Sequence, residues 1–527
     1  MTCPDEARPP ESSISSGGPV AKHWRAAGFM AGPNGRLPPV APNASNRFSG
    51  VPRYAVRAAG SEWGARDWYL RCSSFRYDFD FAVRNREQGS SNNEGIVSKL
   101  AVGGDAGLSA TRIFSQWPVR EGTLWTPQRV AWINLLMAWS EGQTLSARFQ
   151  FAGDTARDGH PHWKLGRSYS GFAQATIGKS SEILAGLKRR FRAQMTAETR
   201  LFRDRDGFCL LAVDGSRLEC PHTAANEEGL GCAGREKTAP QVFVTTLWHP
   251  GFALPWDFRT GPGTDSERRH LDQMLGDLPE KTLLLSDAGF VSYELCQALL
   301  HKGHSFLLRV GSNVHLLTNL EYDYQQRDDI VYLWPTKCRR CAPLKLRLIR
   351  LKDEQHEPVY LLTNILDIER LGDTTAKRLY RLRWGVEVFY RSAKQTLQRR
   401  RLLSRTPETC QAEAQWVVAG VWLLGLMTVR QQLHRGLEPR NWSAAKARDA
   451  VRSAMRRSGS RSGRYASLST ALVAAVKDAY IRNGSKQARN YPRKKREKPP
   501  GPPIIKPATA LEQKQAKELP TKRCGAM

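Results

Sequence analysis

No stretch of this sequence is apolar for long enough to span a bilayer. The longest apolar run, Trp416 to Val429, is 14 residues and contains two glycines, against the roughly 18 to 20 that a membrane helix needs. It reads as a buried core helix, and no membrane partner is expected. No secretory leader is expected either, because the first residues, MTCPDEARPPESS, carry acids and prolines where a basic and then an apolar segment should stand. Cysteine is sparse, ten residues scattered from Cys3 to Cys524, which favours reduced thiols in a cytosolic compartment over a disulfide framework. Acid is short as well: Lys and Arg number 80 against 50 Asp and Glu, a formal charge of +30. The expected large partner is therefore polyanionic, with nucleic acid ahead of an anionic membrane surface.

Two familiar motifs are incomplete. Gly178-Lys179-Ser180 ends like a phosphate-binding loop, but Ala173 stands where the leading glycine belongs. Cys338-Arg339-Arg340-Cys341 is half of a zinc site with no second C-x-x-C or H-x(3 to 5)-H to complete it. Neither an ATP-driven mechanism nor structural zinc follows, and the two thiols read as incidental members of a β hairpin.

With 527 residues the chain has material for two to four domains. Residues 1–110 mix Pro, Gly, Ser, Ala and Arg without a period of 3.6 or 2, and read either as disordered or as an over-long start to the reading frame. Order is expected from Thr126-Pro127, an N-cap and first-turn proline ahead of RVAWINLLMAWSEG. Helices at 168–177 and 181–195, the second with the basic run Lys188-Arg189-Arg190, make residues 111–200 a helical region suited to DNA binding, or a helical cap packed on the next domain. From 201 to 400 the strands FCLLAVDG, QVFVTTLWHPG, TLLLSDAGF and SFLLRVGSN alternate with helices, one opened by the capping box Thr264-x-x-Glu267, as in an α/β sheet. LKLRLIRL and PVYLLTN form a β-rich insertion at about 312–372, followed by a single long helix from 374 to 400. A helical region at 401–480 comes next, then a tail from 481 to 527. From Arg482 that tail has 13 Lys and Arg against 3 Glu, and it reads as a disordered arm that touches phosphates without reading sequence.

Asp214 ends the apolar run CLLAV and Asp287 ends TLLLS, each with a glycine within two residues. Ligands gather at the carboxyl ends of strands in open sheets, although an Asp there is more often a cap or turn former. The helix TTAKRLYRLRWGVEVFYRSAKQTLQRR places Tyr380, Arg383, Glu387 and Lys394 within about a 60° sector. Leu379, Leu382, Val386, Phe389, Ala393 and Leu397 lie opposite as an apolar docking face. On periodicity alone a solvated amphipathic surface helix is the favoured reading.

The pattern Y-x-x-R-x-x-x-E-x(6)-K over Tyr380, Arg383, Glu387 and Lys394 resembles the signature of DDE transposases of the insertion-sequence-four family. LLAVDGS, SDAGF and VYLLTN resemble that family's catalytic blocks in the same order, and the likeness runs from about residue 126 to 510. It implies a ribonuclease-H-like α/β core with a β-rich insertion before the last catalytic helix, flanked by helical N- and C-terminal regions. It further implies that Asp214, Asp287 and Glu387 hold two Mg²⁺ or Mn²⁺ ions, and that the chain cuts insertion-sequence ends and joins the 3′-OH to target DNA. Such chemistry suits hard, oxygen-preferring ions that share the attacked phosphate. Tyr380, Arg383 and Lys394 would grip phosphates near the cut, and Arg309 resembles a further position facing the site, though a solvated strand-end arginine is an equal reading. Trp334 lies in the insertion, where aromatic residues of some family members assist a hairpin route, but it reads here as a core residue.

The likeness also implies double-stranded DNA as partner, a homodimer on that DNA, and a prokaryotic cytoplasm with the nucleoid as location. The alternative is a catalytically silent DNA-binding protein of the same fold, which the intact acids and stripe disfavour. Tyrosine recombinases share an H-x-x-R element, and no His of this chain has Arg three places on. Ser216 has no His or acid placed by spacing to activate it as a nucleophile.

Overall fold

The computed structural model describes residues 119–198, 204–233, 239–320, 327–353, 356–457, 467–478 and 501–519. The expectations placed on residues 1–110, and those for 479–500 and 520–527 of the tail, lie outside the described residues.

The fold is mixed α/β around an eleven-stranded sheet. Its centre is built from β1 (Phe208–Glu219), β2 (Gln241–His249), β3 (Leu254–Pro262), β4 (Thr282–Ser286) and β5 (Ser305–Val310). The first three form an antiparallel meander, and β1, β4 and β5 run parallel. The unbroken apolar runs Leu210 to Val213, Leu283 to Leu285 and Phe306 to Leu308 are what a parallel sheet covered on both faces requires, and all are buried. The insertion supplies β6 (His315–Thr318), β7 (Ile330–Leu333), β8 (Leu344–Asp353) and β9 (His356–Thr363), which extend the same sheet because β9 pairs antiparallel with β5. The order is β6-β7-β8-β9-β5-β4-β1-β2-β3, with a last strand beyond β6 and the two-residue strand Asp204–Arg205 hairpinned onto β1.

Three helices precede the sheet: α1 (Pro127–Trp139), α2 (Leu145–Gly159) and α3 (Tyr169–Glu198). Thr126 caps α1 as its side chain predicts, accepting from the Arg129 amide at 3.3 Å. The two helices expected at 168–177 and 181–195 are one, α3. Gly178-Lys179-Ser180 costs the helix little, and the Ser180 hydroxyl is used inside, accepting from Trp416 Nε1 at 2.8 Å. Nor is the basic run wholly an outer face, since Lys188 turns inward to the fully buried Asp257 of β3 at 2.9 Å. Burial pushes the Lys188 ammonium down to about 8 despite that partner.

Within the sheet region α4 (Ala224–Leu230), α5 (Glu267–Asp272) and α6 (Tyr293–His301) are short. The helix expected at 374–400 is broken into α7 (Asp373–Arg381), α8 (Trp384–Arg391) and a π-turn at Ser392–Thr396. Between α7 and α8 the backbone tightens, with Arg383 N donating to Tyr380 O and Gly385 N to Leu382 O, both one residue short of α-helical reach. Leu379, Val386, Phe389, Ala393 and Leu397 are nevertheless buried, as the apolar stripe predicts.

The apolar run around Trp416 belongs to α9 (Pro407–Leu433), capped by Thr406. This helix is long and apolar enough to cross a membrane by composition, yet it packs inside the protein against α1, α3 and β3. Trp139 Nε1 donates to Gly420 O at 2.9 Å, tying α1 to it. After α10 (Ala444–Arg456) and α11 (Leu468–Val473), the tail departs from expectation. Residues 504–507 form β10, parallel to β6, and residues 510–518 form α12. The reason is apolar: Leu320, Ile330, Tyr332 and Trp334 make a small core that Ala508, Ala516 and Leu519 cover. Trp334 is thus a core residue, and Arg339, 4.2 Å over its ring, pairs with Glu512 of the tail helix.

Candidate active site

Two aspartates emerge side by side from neighbouring strands. Ala212 of β1 is paired with Leu285 of β4, and Asp214 and Asp287 each stand two residues further on, so alternation sends both side chains to one face. Each carboxylate is steadied by the following turn: Asp214 Oδ1 accepts from the Gly215 amide at 2.8 Å, and Asp287 Oδ1 from the Gly289 amide at 3.0 Å.

Glu387 arrives from α8, which docks across β1 and β2. Tyr390, one turn on and fully buried, anchors it there. Its hydroxyl lies 3.0 Å from the Asp214 carbonyl, 2.9 Å from the Val244 carbonyl and 3.0 Å from Thr246 Oγ1. A buried tyrosine hydroxyl needs such partners, and here they belong to the strands that carry the site. Arg383 bridges the acids, with Nη2 at 3.0 Å from Glu387 Oε1 and Nη1 at 3.9 Å from Asp214 Oδ2.

The other members of the stripe face the same end of the sheet in different roles. Tyr380 donates to the Ser286 carbonyl, beside Asp287, at 3.3 Å. Burial raises its hydroxyl to about 12, with the Arg383 and Arg309 charges opposing, which places Arg309 of β5 within reach of the site. Lys394, in the π-turn, donates to Ser216 Oγ on β1 at 2.7 Å. Burial lowers its pKa, and Arg400 adds to the effect. All seven residues singled out from the sequence therefore gather at one end of β1, β4 and β5.

Electrostatics mark the spot. Asp214 is raised to about 6, first by burial, with Asp287 and Glu387 adding to the rise and the Gly215 amide and Arg383 opposing it. A further acid, Glu267 of α5, is raised to about 7 by burial and then by Asp214 and Asp287. Sequence reasoning missed both Glu267 and Tyr390. The signal for Tyr390 was a hydroxyl three residues after Glu387, on the edge of the docking face. Among the described residues no three His, Cys, Asp or Glu stand close enough to enclose one metal ion. The donor set, carboxylates crowded at one end of the sheet, nevertheless has the chemistry of a hard-cation site.

Clustered carboxylates beside an arginine and a lysine can act on phosphate esters. Comparison with known proteins agrees: residues 205–424 match the family described as "Transposase DDE domain". The chain is 26% identical over 314 residues to "Transposase InsG for insertion sequence element IS4" of Escherichia coli (strain K12), covering 56% of this chain and 69% of that one. A solved piggyBac transposase synaptic complex with hairpin DNA is 12% identical, over 76% of this chain and 88% of that one. Its TM-score is 0.36, a likeness too slight to carry an argument. This chain carries a transposase DDE domain of the insertion-sequence-four type, as its motifs led one to expect, and its general field is DNA transposition.

Proposed function

We propose that the protein cuts the ends of an insertion sequence and joins the freed 3′-OH to target DNA, working from a ribonuclease-H-like core. The observation that carries this reading is the convergence of Asp214 and Asp287, at the ends of adjacent parallel strands, with Glu387 on a helix pinned to Asp214 through Tyr390. The strand order β5-β4-β1-β2-β3, three antiparallel and two parallel, supports the core assignment.

Asp214, Asp287 and Glu387 would hold two divalent ions, Mg²⁺ or Mn²⁺. Such ions, when bound, lower the pKa of an attacking oxygen and stabilise a departing one. The protein's own part is positioning and charge. In each step an oxygen nucleophile, water and then the 3′-hydroxyl, forms a bond to phosphorus as the P–O bond in line with it breaks. The attacker loses a proton and the departing oxygen gains one. Arg383 can present its fork to a phosphate while still paired to Glu387, and Lys394 and Arg309 add positive charge at the same end. Tyr380 acts on the phosphate side through the backbone it holds, at Ser286. Double-stranded DNA is the partner and a homodimer pairs two ends, in a prokaryotic cytoplasm on the nucleoid.

The test is cleavage of a duplex carrying the element's terminal repeat, with and without Mg²⁺ or Mn²⁺, by the native chain and by Glu387→Gln. Metal-dependent nicking that the variant loses is the expected result. Salt-sensitive binding with no cleavage by the native chain would instead return the silent DNA-binding reading.

A further inference from the structure

Helices α1, α3 and α9 meet around a cleft that holds a cavity of about 50 Å³. Phe172, Trp416 and Val417 make its walls apolar, while Arg148 of α2, Arg399 and Glu413 bring charge to it and Tyr169 brings a hydroxyl. Both arginines are buried, Arg399 only 2% exposed and Arg148 5%.

One nitrogen makes all the side-chain bonds of Arg399. Nη2 donates to the carbonyls of Met137, Ala138 and Ser140 at 3.1, 3.2 and 2.7 Å, at the end of α1, where open carbonyls favour positive charge. Its Nε is buried without a partner, and among the described residues Nη1 has none and no acid lies within ion-pair distance. Arg148 donates through Nε to the Gly142 carbonyl at 2.7 Å and pairs through Nη1 with Glu413 Oε1 at 3.4 Å, which leaves Nη2 unbonded among the described residues. Glu413 can give little more, because its Oε2 already accepts from the Leu403 amide at 3.0 Å and from the Ser404 amide and hydroxyl at 3.0 and 2.8 Å. From α10, Arg452 donates to the Trp139 carbonyl at 2.6 Å and pairs with Glu141 at 3.3 Å. Three buried arginines thus meet two glutamates around the end of α1. Burial pushes Arg399 down to about 9, and Arg148 and Arg452 push the same way against Glu413.

Water can complete the N–H bonds but not the charge, and a buried cation without a counter-ion is costly. Tyr169 supplies a further donor, since burial raises its hydroxyl to about 12 and it keeps its proton.

We infer that this cleft binds one small monovalent anion, of the size of chloride or acetate, between Arg148, Arg399 and Tyr169. A water needs about 10–15 Å³ of such space, so the cavity takes roughly three or four water-sized groups and not a sugar acid. The site lies apart from the carboxylates of the active site and does not rest on the transposase reading. Occupancy nevertheless bears on that region: the Arg399 amide donates to the Ala393 carbonyl at 3.2 Å, so the anion ties the N-terminal helices to the segment that carries Glu387 and Lys394.

Thermal unfolding of the full chain at fixed ionic strength tests the inference, with sodium gluconate exchanged stepwise for chloride or for acetate. Gluconate is too large for the cavity. Tm should rise along a saturating curve, by about 2–4 °C once the small anion stands tenfold above its Kd. The rise should vanish in Arg148→Met and in Arg399→Met and persist in Arg383→Gln, which removes a cation elsewhere. A rise with chloride alone, or with acetate as well, upholds the site and separates a halide from a carboxylate ligand. No rise in the native chain, or an equal rise in both methionine variants, overturns it. Should those variants fail to fold, bromide soaked into crystals of the native chain decides: an anomalous peak between Arg148 and Arg399 is expected, and peaks confined to the outer surface overturn the inference.

Discussion

Gly385 stands two residues after Arg383 and two before Glu387, and the ring of Trp248 on β2 fills the space where a side chain would be. A Cβ there would meet Trp248 Cη2 at 1.8 Å, Cζ3 at 2.4 Å and Cζ2 at 2.6 Å. Carbon atoms in contact settle at about 3.5 to 4.0 Å, so Gly385→Ala must open the helix–sheet gap by roughly 1.7 to 2.2 Å or rotate a ring that is only 5% exposed. Overpacking of this kind costs about 1–3 kcal/mol, and alanine's better helix propensity returns at most about 1 kcal/mol. The net effect is destabilising. The activity loss is larger, because the displaced segment carries both Arg383 and Glu387, and a misplacement of about 1 Å can cost on the order of a hundredfold in rate. Trp248→Leu, which removes all three clashing atoms, should make Gly385→Ala harmless, so that urea unfolding of the two single variants and the double shows a coupling of about 1–3 kcal/mol. Metal-dependent nicking measured on the same set should recover in the double variant relative to Gly385→Ala alone. Equal cost of Gly385→Ala in both backgrounds would refute the argument that the tryptophan ring sets the position of the catalytic helix.

Metal-free stability should fall as pH rises through the acid range. Asp214 is raised from 3.8 to about 6, so the folded state binds the extra proton, and its contribution is full below pH about 4 and lost by pH about 6. For this side chain, 18% exposed, the loss is on the order of 3 kcal/mol. Asp214→Asn should flatten that slope in urea titrations at pH 4 and pH 7, and an unchanged slope would remove Asp214 as its source. Tyr390→Phe removes the one donor shared by two buried strand carbonyls, and the partner of the Thr246 hydroxyl, and should cost about 1–3 kcal/mol, with nicking reduced as Asp214 loosens. A fully active, equally stable variant would show that the anchor is dispensable. Lys394→Ala should weaken binding of terminal-repeat DNA evenly across sequences and reduce the salt slope by about 1. An unchanged slope in a filter-binding series would place Lys394 off the phosphate.

The two aspartate strands are legible because long apolar runs end abruptly in Asp and Gly, and burial on both faces leaves such runs few other places to go. The third meander strand, LPWDFRTGP, is not legible. Pro255, Asp257 and Gly261 interrupt any β pattern, and the buried Asp257 is tolerated because Lys188 and Arg192 of a distant helix meet it at 2.9 Å and 3.5 Å, with Arg259 of its own strand at 3.3 Å. The stripe of Tyr380, Arg383, Glu387 and Lys394 is readable from spacing even though the helix beneath it is not continuous, because the 3₁₀ and π irregularities shift the turns without removing the shared face. Glu267 shows the opposite failure. Thr264-x-x-Glu267 has the spacing of a capping box, but Ser266 becomes the cap and frees the glutamate to turn inward. No one-dimensional pattern distinguishes a glutamate that caps from one that faces a site.

The tail strand has a consequence for the order in which this protein is made. β10 pairs in parallel with β6 across nearly two hundred residues of intervening chain, so it leaves the ribosome well after the strand it joins. Until then β6 is an open edge beside Leu320, Tyr332 and Trp334, an adhesive surface on a nascent chain whose two aspartate-bearing strands are already complete. Synthesis and final closure are thus separated in time, and a copy stalled short of residue 504 carries Asp214, Asp287 and Glu387 beside a sheet edge still able to pair with a neighbour. When the strand arrives it also ends the sheet well: Pro507 on its outer border offers no amide to a further strand.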